Sequence, residues 1–331
     1  MADANGGAAG SFVSTGSLPT PEEVRRAIDD AFVRFAPVAD GALSDVYPAL
    51  ARVDPSLFGI AIVSVAGRVW EAGDARHPFA LMSVAKPFVF ALAHDVLGPE
   101  AVRDRIGVNA TGLAFNDPDA VHRADGATNP MVNPGAIATT ALVGNGDRAS
   151  RWRAILEGLS AFAGRDLALD DEIYRSASAT NQRNRELTAL MAEAGRIDIE
   201  PTDALDLYTR QSSLAVTAVD LAVMGATLAD GGVNPVTGRR VVGEDACRHA
   251  LAVMVTAGLY ETSGDWLYDV DLPAKSGIGG GIVTVAPGKG GMGTFSPPLD
   301  RAGNSVRGRL VARDLAGRLG LGILRSSRAD A

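Results

Sequence analysis

Strand-like segments lie towards both ends of this 331-residue chain and helical patterning fills the middle, so one sheet must draw strands from both ends and carry the helices as an insertion. Towards the start, "FGIAIVSVAGRVWEAGD" reads as a hairpin: a β-branched run, a turn at Gly67, and a second run closed by Gly73. Towards the end, "LPAKSGI", "GIVTVAP" and "GMGTFSPP" read as strands separated by glycine-rich turns, and "ARDLAGRLGLGIL" as a closing helix. From about residue 100 to 255 the pattern is mainly helical, interrupted by "ATGLAFNDPD" and "GATNPMVNPGA". Two helix starts carry capping boxes, Thr20 with Glu23 and Thr217 with Asp220. The expected organisation is a flexible leader over 1–19, a sheet-containing lobe from 20–76 and 256–326, and a mainly helical lobe over 77–255.

The chain is 47% hydrophobic and 21% charged, enough for a substantial core, and its net charge of −8 argues against nucleic acid and an anionic membrane surface as partners. A small molecule is the expected partner. Cys247 stands alone, which excludes an intrachain disulfide and a multi-cysteine metal site. His77, His94, His122 and His249 show no metal-ligand spacing, so no metal site is expected. The opening residues lack a basic segment followed by an apolar core, and no apolar run reaches membrane-spanning length; the expected location is the cytoplasm.

Of 31 basic residues only Lys86, Lys275 and Lys289 are lysines, and Lys86 sits inside the apolar run "FALMSVAKPFVFALAHDV". An amine can lose its proton on burial where a guanidinium cannot, which marks Lys86 as a candidate base; the ordinary alternative is an ammonium snorkelling to solvent. From Ser83, "SVAKPFVFALAHDVLG" reads as a helix with Pro87 in the first turn and Gly98 past its end. Serine and lysine at i and i+3 then meet at the first turn, nucleophile beside base. S-x-x-K after a hairpin, with "KSG" opening a late strand, is the arrangement of the serine β-lactamases and penicillin-binding proteins. The expected fold class is therefore α/β (α+β), β-lactamase/transpeptidase-like, with an antiparallel sheet built from both termini. "GKGGMG" matches a dinucleotide fingerprint, but Pro297 and Pro298 leave no room for the required helix, so it reads as a hairpin turn. Lys289, within that turn, is expected to be a solvated charge.

From about Tyr47 to Leu324 the chain resembles the serine-dependent glutaminases, on "YPALARVDPSLFGIAI", "MSVAKP", "NPMVNPGAIA", "ATNQRN", "YTRQSS", "DLAVMGATLADGGVNPVTG", "LPAKSGIGGGI" and "FSPPLDRAGNSVRG", in that order. The resemblance implies hydrolysis of L-glutamine to L-glutamate and ammonia through an acyl-enzyme on Ser83, without a cofactor, in a homo-oligomer (dimer or tetramer). It also implies that Lys86 activates Ser83, that Tyr260 assists proton transfer, and that backbone N–H groups of Ser83 and Ile278 hold the oxyanion. Asn133, Asn184 and Tyr208 match positions that hold the amino-acid head of the substrate. Without the resemblance, the asparagines read as turn formers and the tyrosines as packing residues.

The chain departs from the family pattern at two positions. Ala177 stands where the family carries the glutamate that pairs with the substrate ammonium, and Met82 where it carries glutamine. Three readings follow: a glutaminase in which another acid, such as Glu172 or a loop aspartate, binds the ammonium; an amide hydrolase of the same mechanism acting on a substrate without that ammonium; or a catalytically weak member with a binding or assembly role.

Overall fold

The main sheet has five antiparallel strands in the order β2-β1-β8-β7-β6: β1 Gly59–Ser64, β2 Val69–Gly73, β6 Ala274–Ser276, β7 Gly281–Ala286 and β8 Gly290–Phe295. Both ends of the chain contribute, and the seam is β1 against β8, from Gly59 opposite Phe295 to Ser64 opposite Gly290. The computed structural model describes residues 18–121 and 128–325, so most of the expected leader lies outside the described residues.

Local chemistry explains the elements that frame the sheet. Thr20 caps the helix Pro21–Phe35 reciprocally with Glu23, and Val24, Ile28 and Ala31 on one of its faces are buried. This helix and the helix Val306–Arg318 share a core with one face of the sheet. The latter begins six residues ahead of its expected start at Ala312, because the Ser305 side chain accepts from Gly308 N and caps it there. The other face is covered by the helix Ala218–Ala229, whose Thr217–Asp220 capping box forms as expected.

The glycine run that mimics a dinucleotide fingerprint is a hairpin, as its prolines required: β7 and β8 pair across it. Its glycines have a packing cause. A Cβ at Gly291 would lie 2.3 Å from Ala222 O, and one at Gly293 2.0 Å from Ala218 O, so only a bare backbone lets the helix Ala218–Ala229 settle on β8. Lys289 corrects the expectation of a solvated charge. It is buried and donates from Nζ to Gly320 O at 2.8 Å, tying the hairpin to the end of the helix Val306–Arg318.

A second, three-stranded sheet in the order β3-β5-β4 joins β3 Phe79–Ala80, β4 Ala168–Leu169 and β5 Leu214–Val216. It anchors the chain just ahead of Ser83, with Leu81 N donating to Leu214 O at 2.9 Å.

Candidate active site

Ser83 and Lys86 do not share a regular α-helix. Met82–Ala85 form a 3₁₀ turn and the α-helix proper runs Lys86–Leu97. The turn follows from Met82, which is held at φ 48°, a left-handed conformation that costs a non-glycine residue about 1–3 kcal/mol. In a 3₁₀ turn residues i and i+3 eclipse, so Ser83 and Lys86 are aligned along one edge.

The Lys86 amine is buried and donates to Met131 O at 3.1 Å and to Asn133 Oδ1 at 2.7 Å. The direct hydrogen bond to Ser83 expected from the spacing is not formed. Burial pulls the Lys86 pKa down to about 7, and the amine's place at the helix N-terminus disfavours its charge in the same sense. Hydrogen-bond counting agrees. Among the described residues Nζ meets two acceptors, which satisfy the two N–H bonds of a neutral amine and leave its lone pair; an ammonium would need a third.

Ser83, Asn133, Asn184, Tyr208 and Ile278 all line one cleft of about 670 Å³, part of it open to solvent. Lys86 lies beneath it, reaching the lining through Asn133. Tyr208 donates to the same Asn133 Oδ1 at 3.1 Å, and burial raises its pKa well above the ordinary phenol value. Tyr260 stands on the other side of Ser83, its ring against Phe115 and its hydroxyl donating to Ser276 O at 3.2 Å. Burial pushes the Tyr260 pKa up to about 12, opposed by hydrogen bonding with Ser83 and Ser276, so the phenol is a proton donor at neutral pH. Its backbone is also left-handed, φ 56°. Of the three non-glycine residues with positive φ among the described residues, two therefore lie beside the serine.

The Ser83 and Ile278 backbone N–H groups donate no hydrogen bond among the described residues, and both residues face the cleft. Two idle donors beside a hydroxyl suit a developing oxyanion. Their spacing depends on glycines: a Cβ at Gly277 would lie 3.2 Å from Ser83 N, and one at Gly279 2.5 Å from Ala80 O. Gly279→Ala is expected to displace the turn bearing Ile278 and lower kcat about 10- to 100-fold, with KM for the substrate little changed. Steady-state kinetics check this, and an unaltered kcat would remove the Ile278 N–H from the site.

Sequence reasoning placed Lys275 in "KSG" without giving it a role, and gave none to Ser276, Asn304 or Asn181. Lys275, fully buried, donates to Ser276 O at 2.6 Å and holds its amine 4.1 Å from the centre of the Tyr260 ring. Burial, reinforced by the Lys86 charge, lowers its pKa well below the ordinary amine value. Ser276 Oγ in turn donates to Asn304 Oδ1 at 2.5 Å. Asn181, between two helices, accepts from Asn184 Nδ2 at 2.6 Å and donates to Thr209 Oγ1 at 3.1 Å. The lysine-poor composition was the signal for Lys275; nothing in the sequence singles out Asn181.

Of the replacement acids expected, Glu172 does not enter the cleft, and among the described residues no loop aspartate lines it. Glu172 is exposed and paired with Arg52, away from the lining. Ala177 does line it, turned inward with Ile173 one helical turn earlier on the helix Asp171–Thr180. Met82 also lines the cleft. Among the described residues no helix is long and apolar enough to cross a membrane, and no group of three or more side chains is placed to hold a metal; His122 lies outside them.

Comparisons with known proteins point to one family. A family model described as Glutaminase matches residues 41–324. The chain is 58% identical over 311 residues to Glutaminase 2 of Yersinia pestis, covering 94% of this chain and 92% of that one. Among solved structures, one described as a probable glutaminase superposes with a TM-score of 0.91 at 43% identity, covering 93% of this chain and all of that one. A probable glutaminase from Bacillus subtilis, complexed with 6-diazo-5-oxo-L-norleucine, gives 0.81 at 27% identity over 92% of this chain and 96% of its own. With a family match across most of its length, relatives of this identity and the β-lactamase-like fold that they share, the chain belongs to the glutaminase family.

Proposed function

We propose that this chain hydrolyses L-glutamine to L-glutamate and ammonia, its family's reaction, through an acyl-enzyme on Ser83 with Lys86 as the base. The observation that supports the mechanism is the buried Lys86 amine, which meets two acceptors, the number a neutral amine needs, one turn from Ser83.

Ser83 Oγ attacks the side-chain carboxamide carbon as its proton passes to Lys86 Nζ. The new oxyanion is received by the Ser83 and Ile278 N–H groups. Amide nitrogen leaves only if protonated, so the Lys86 ammonium returns the proton, with the Tyr260 hydroxyl as relay, and ammonia departs. Water then attacks the acyl carbon while Lys86 accepts its proton, glutamate leaves, and Ser83 recovers its hydrogen. Asn133, Asn184 and Tyr208 hold the substrate's carboxylate end by neutral hydrogen bonds. The preserved chemistry, down to two strained backbone positions beside the serine, weighs against a purely binding or assembly role. A homo-oligomer working in the cytoplasm belongs to the same reading, supported by the family resemblance and the single cysteine.

The test is ammonia release from L-glutamine in the presence of hydroxylamine. A Ser83 acyl-enzyme partitions to γ-glutamyl hydroxamate in proportion to hydroxylamine concentration; absence of both ammonia and hydroxamate would remove the proposal.

A further inference from the structure

Three buried asparagines in the cleft wall form a relay that runs one way. Lys86 Nζ donates to Asn133 Oδ1 at 2.7 Å, Asn133 Nδ2 to Asn184 Oδ1 at 2.8 Å, Asn184 Nδ2 to Asn181 Oδ1 at 2.6 Å, and Asn181 Nδ2 to Thr209 Oγ1 at 3.1 Å. Each amide oxygen along the relay is taken by its neighbour's donor, and Asn133 Oδ1 is taken twice, by Tyr208 as well. Asn181 Oδ1 also accepts from the Tyr47 hydroxyl at 3.4 Å, so two of the three amide oxygens are fully taken, Asn184 Oδ1 keeps one lone pair, and each amide keeps an N–H to offer.

The charge on the lining has the same sense. Among the described residues the cleft is lined by one guanidinium, Arg183, and by no carboxylate; Ala177, on the inward face of its helix, presents only a methyl group. Surplus donors and one cation suit a carboxylate. A primary ammonium entering the same space would exchange water for neutral hydroxyl and amide oxygens, several already engaged, with no carboxylate to pair it, a poor exchange for a charge. A carbon bearing hydrogen or a keto oxygen incurs no such penalty.

We infer that the cleft accepts five-carbon ω-amides whose α-carbon carries hydrogen or a keto oxygen in place of the ammonium, and that it reads its substrate through the carboxylate and the carboxamide. This rests on the amide hydrolysis proposed above and specifies its substrate class. The α-ammonium of glutamine is tolerated by the site and not recognised by it.

The experiment compares kcat/KM for L-glutamine and for glutaramate, the analogue with hydrogen at the α-carbon, by ammonia release. Glutaramate is expected within tenfold of glutamine or above it. A value more than tenfold below glutamine would overturn the inference while leaving glutamine hydrolysis in place. Release from glutaramate alone would remove glutamine as a substrate and keep the inference; release from neither removes both. Ala177→Glu is expected to shift the ratio about 30-fold towards glutamine. Ala177→Gln, equal in bulk and uncharged, is expected to leave the ratio within threefold of the wild type. An unshifted ratio in a folded glutamate variant, or equal shifts in both variants, would overturn the inference. If neither variant folds, the wild-type ratio decides alone.

Discussion

Ser83→Ala is expected to reduce ammonia release from glutamine to background, a fall of about 10⁴-fold or more in kcat, because it removes the hydroxyl proposed to form the acyl-enzyme. The same substitution should leave the fold intact. Ser83 is half-buried on the cleft wall; its loss takes a hydrogen-bond partner from the Tyr208 and Tyr260 hydroxyls, but each keeps another, Asn133 Oδ1 and Ser276 O. Thermal unfolding is expected within about 2 °C of wild type, as for a substitution worth under about 0.5 kcal/mol. The two readouts together separate chemistry from structure. A folded alanine variant retaining a tenth of wild-type ammonia release would move the nucleophile elsewhere and dissolve the roles given to Lys86 and Ile278.

The parts of the fold legible in the sequence were those fixed by local rules. Thr20 with Glu23 and Thr217 with Asp220 specify their own helix starts, and the Gly67 turn specifies its hairpin, with no help from distant residues. The three-stranded sheet was not legible: β3 and β4 have two residues each, too few to show alternation, and both depend on β5, which lies more than 130 positions from β3 and over 40 from β4. Composition did better than pattern for the lysines. All three proved buried, including Lys289, whose glycine-rich surroundings suggested a solvated turn and in fact serve close packing. At the site, S-x-x-K placed Ser83 and Lys86 in one turn but misjudged their relation. The spacing assumed an α-helical turn, whereas Met82 at positive φ produces a 3₁₀ turn and the amine points to acceptors from a loop and helix some 45 residues on. Asn181 became visible only through the relay, since an asparagine between helices has an ordinary explanation as a turn former.

Lys86→Arg is expected to be nearly as damaging as loss of the serine, with kcat down about 10³- to 10⁴-fold, because a guanidinium stays charged and cannot take a proton. Wild-type kcat/KM should fall tenfold per pH unit below about 7, since the reactive enzyme is the fraction whose Lys86 amine is neutral. The stability consequence has a definite sign. The folded-state pKa of Lys86, about 7, lies below the ordinary 10.5, so the unfolded chain binds the extra proton over that whole interval. Neutralising the amine therefore handicaps the fold increasingly as pH falls from 10.5 to 7, by about 4 kcal/mol at the lower end, and not at all above 10.5. Lys86→Met removes the handicap but strands Met131 O and Asn133 Oδ1, which returns about half of it. The methionine variant should thus be inactive yet about 2 kcal/mol more stable than wild type at pH 7, as measured by denaturant unfolding, with the advantage gone by pH 10. A methionine variant less stable than wild type at pH 7, with no change in that difference at pH 10, would show that Lys86 is held as an ammonium, and an ammonium cannot draw the proton from Ser83.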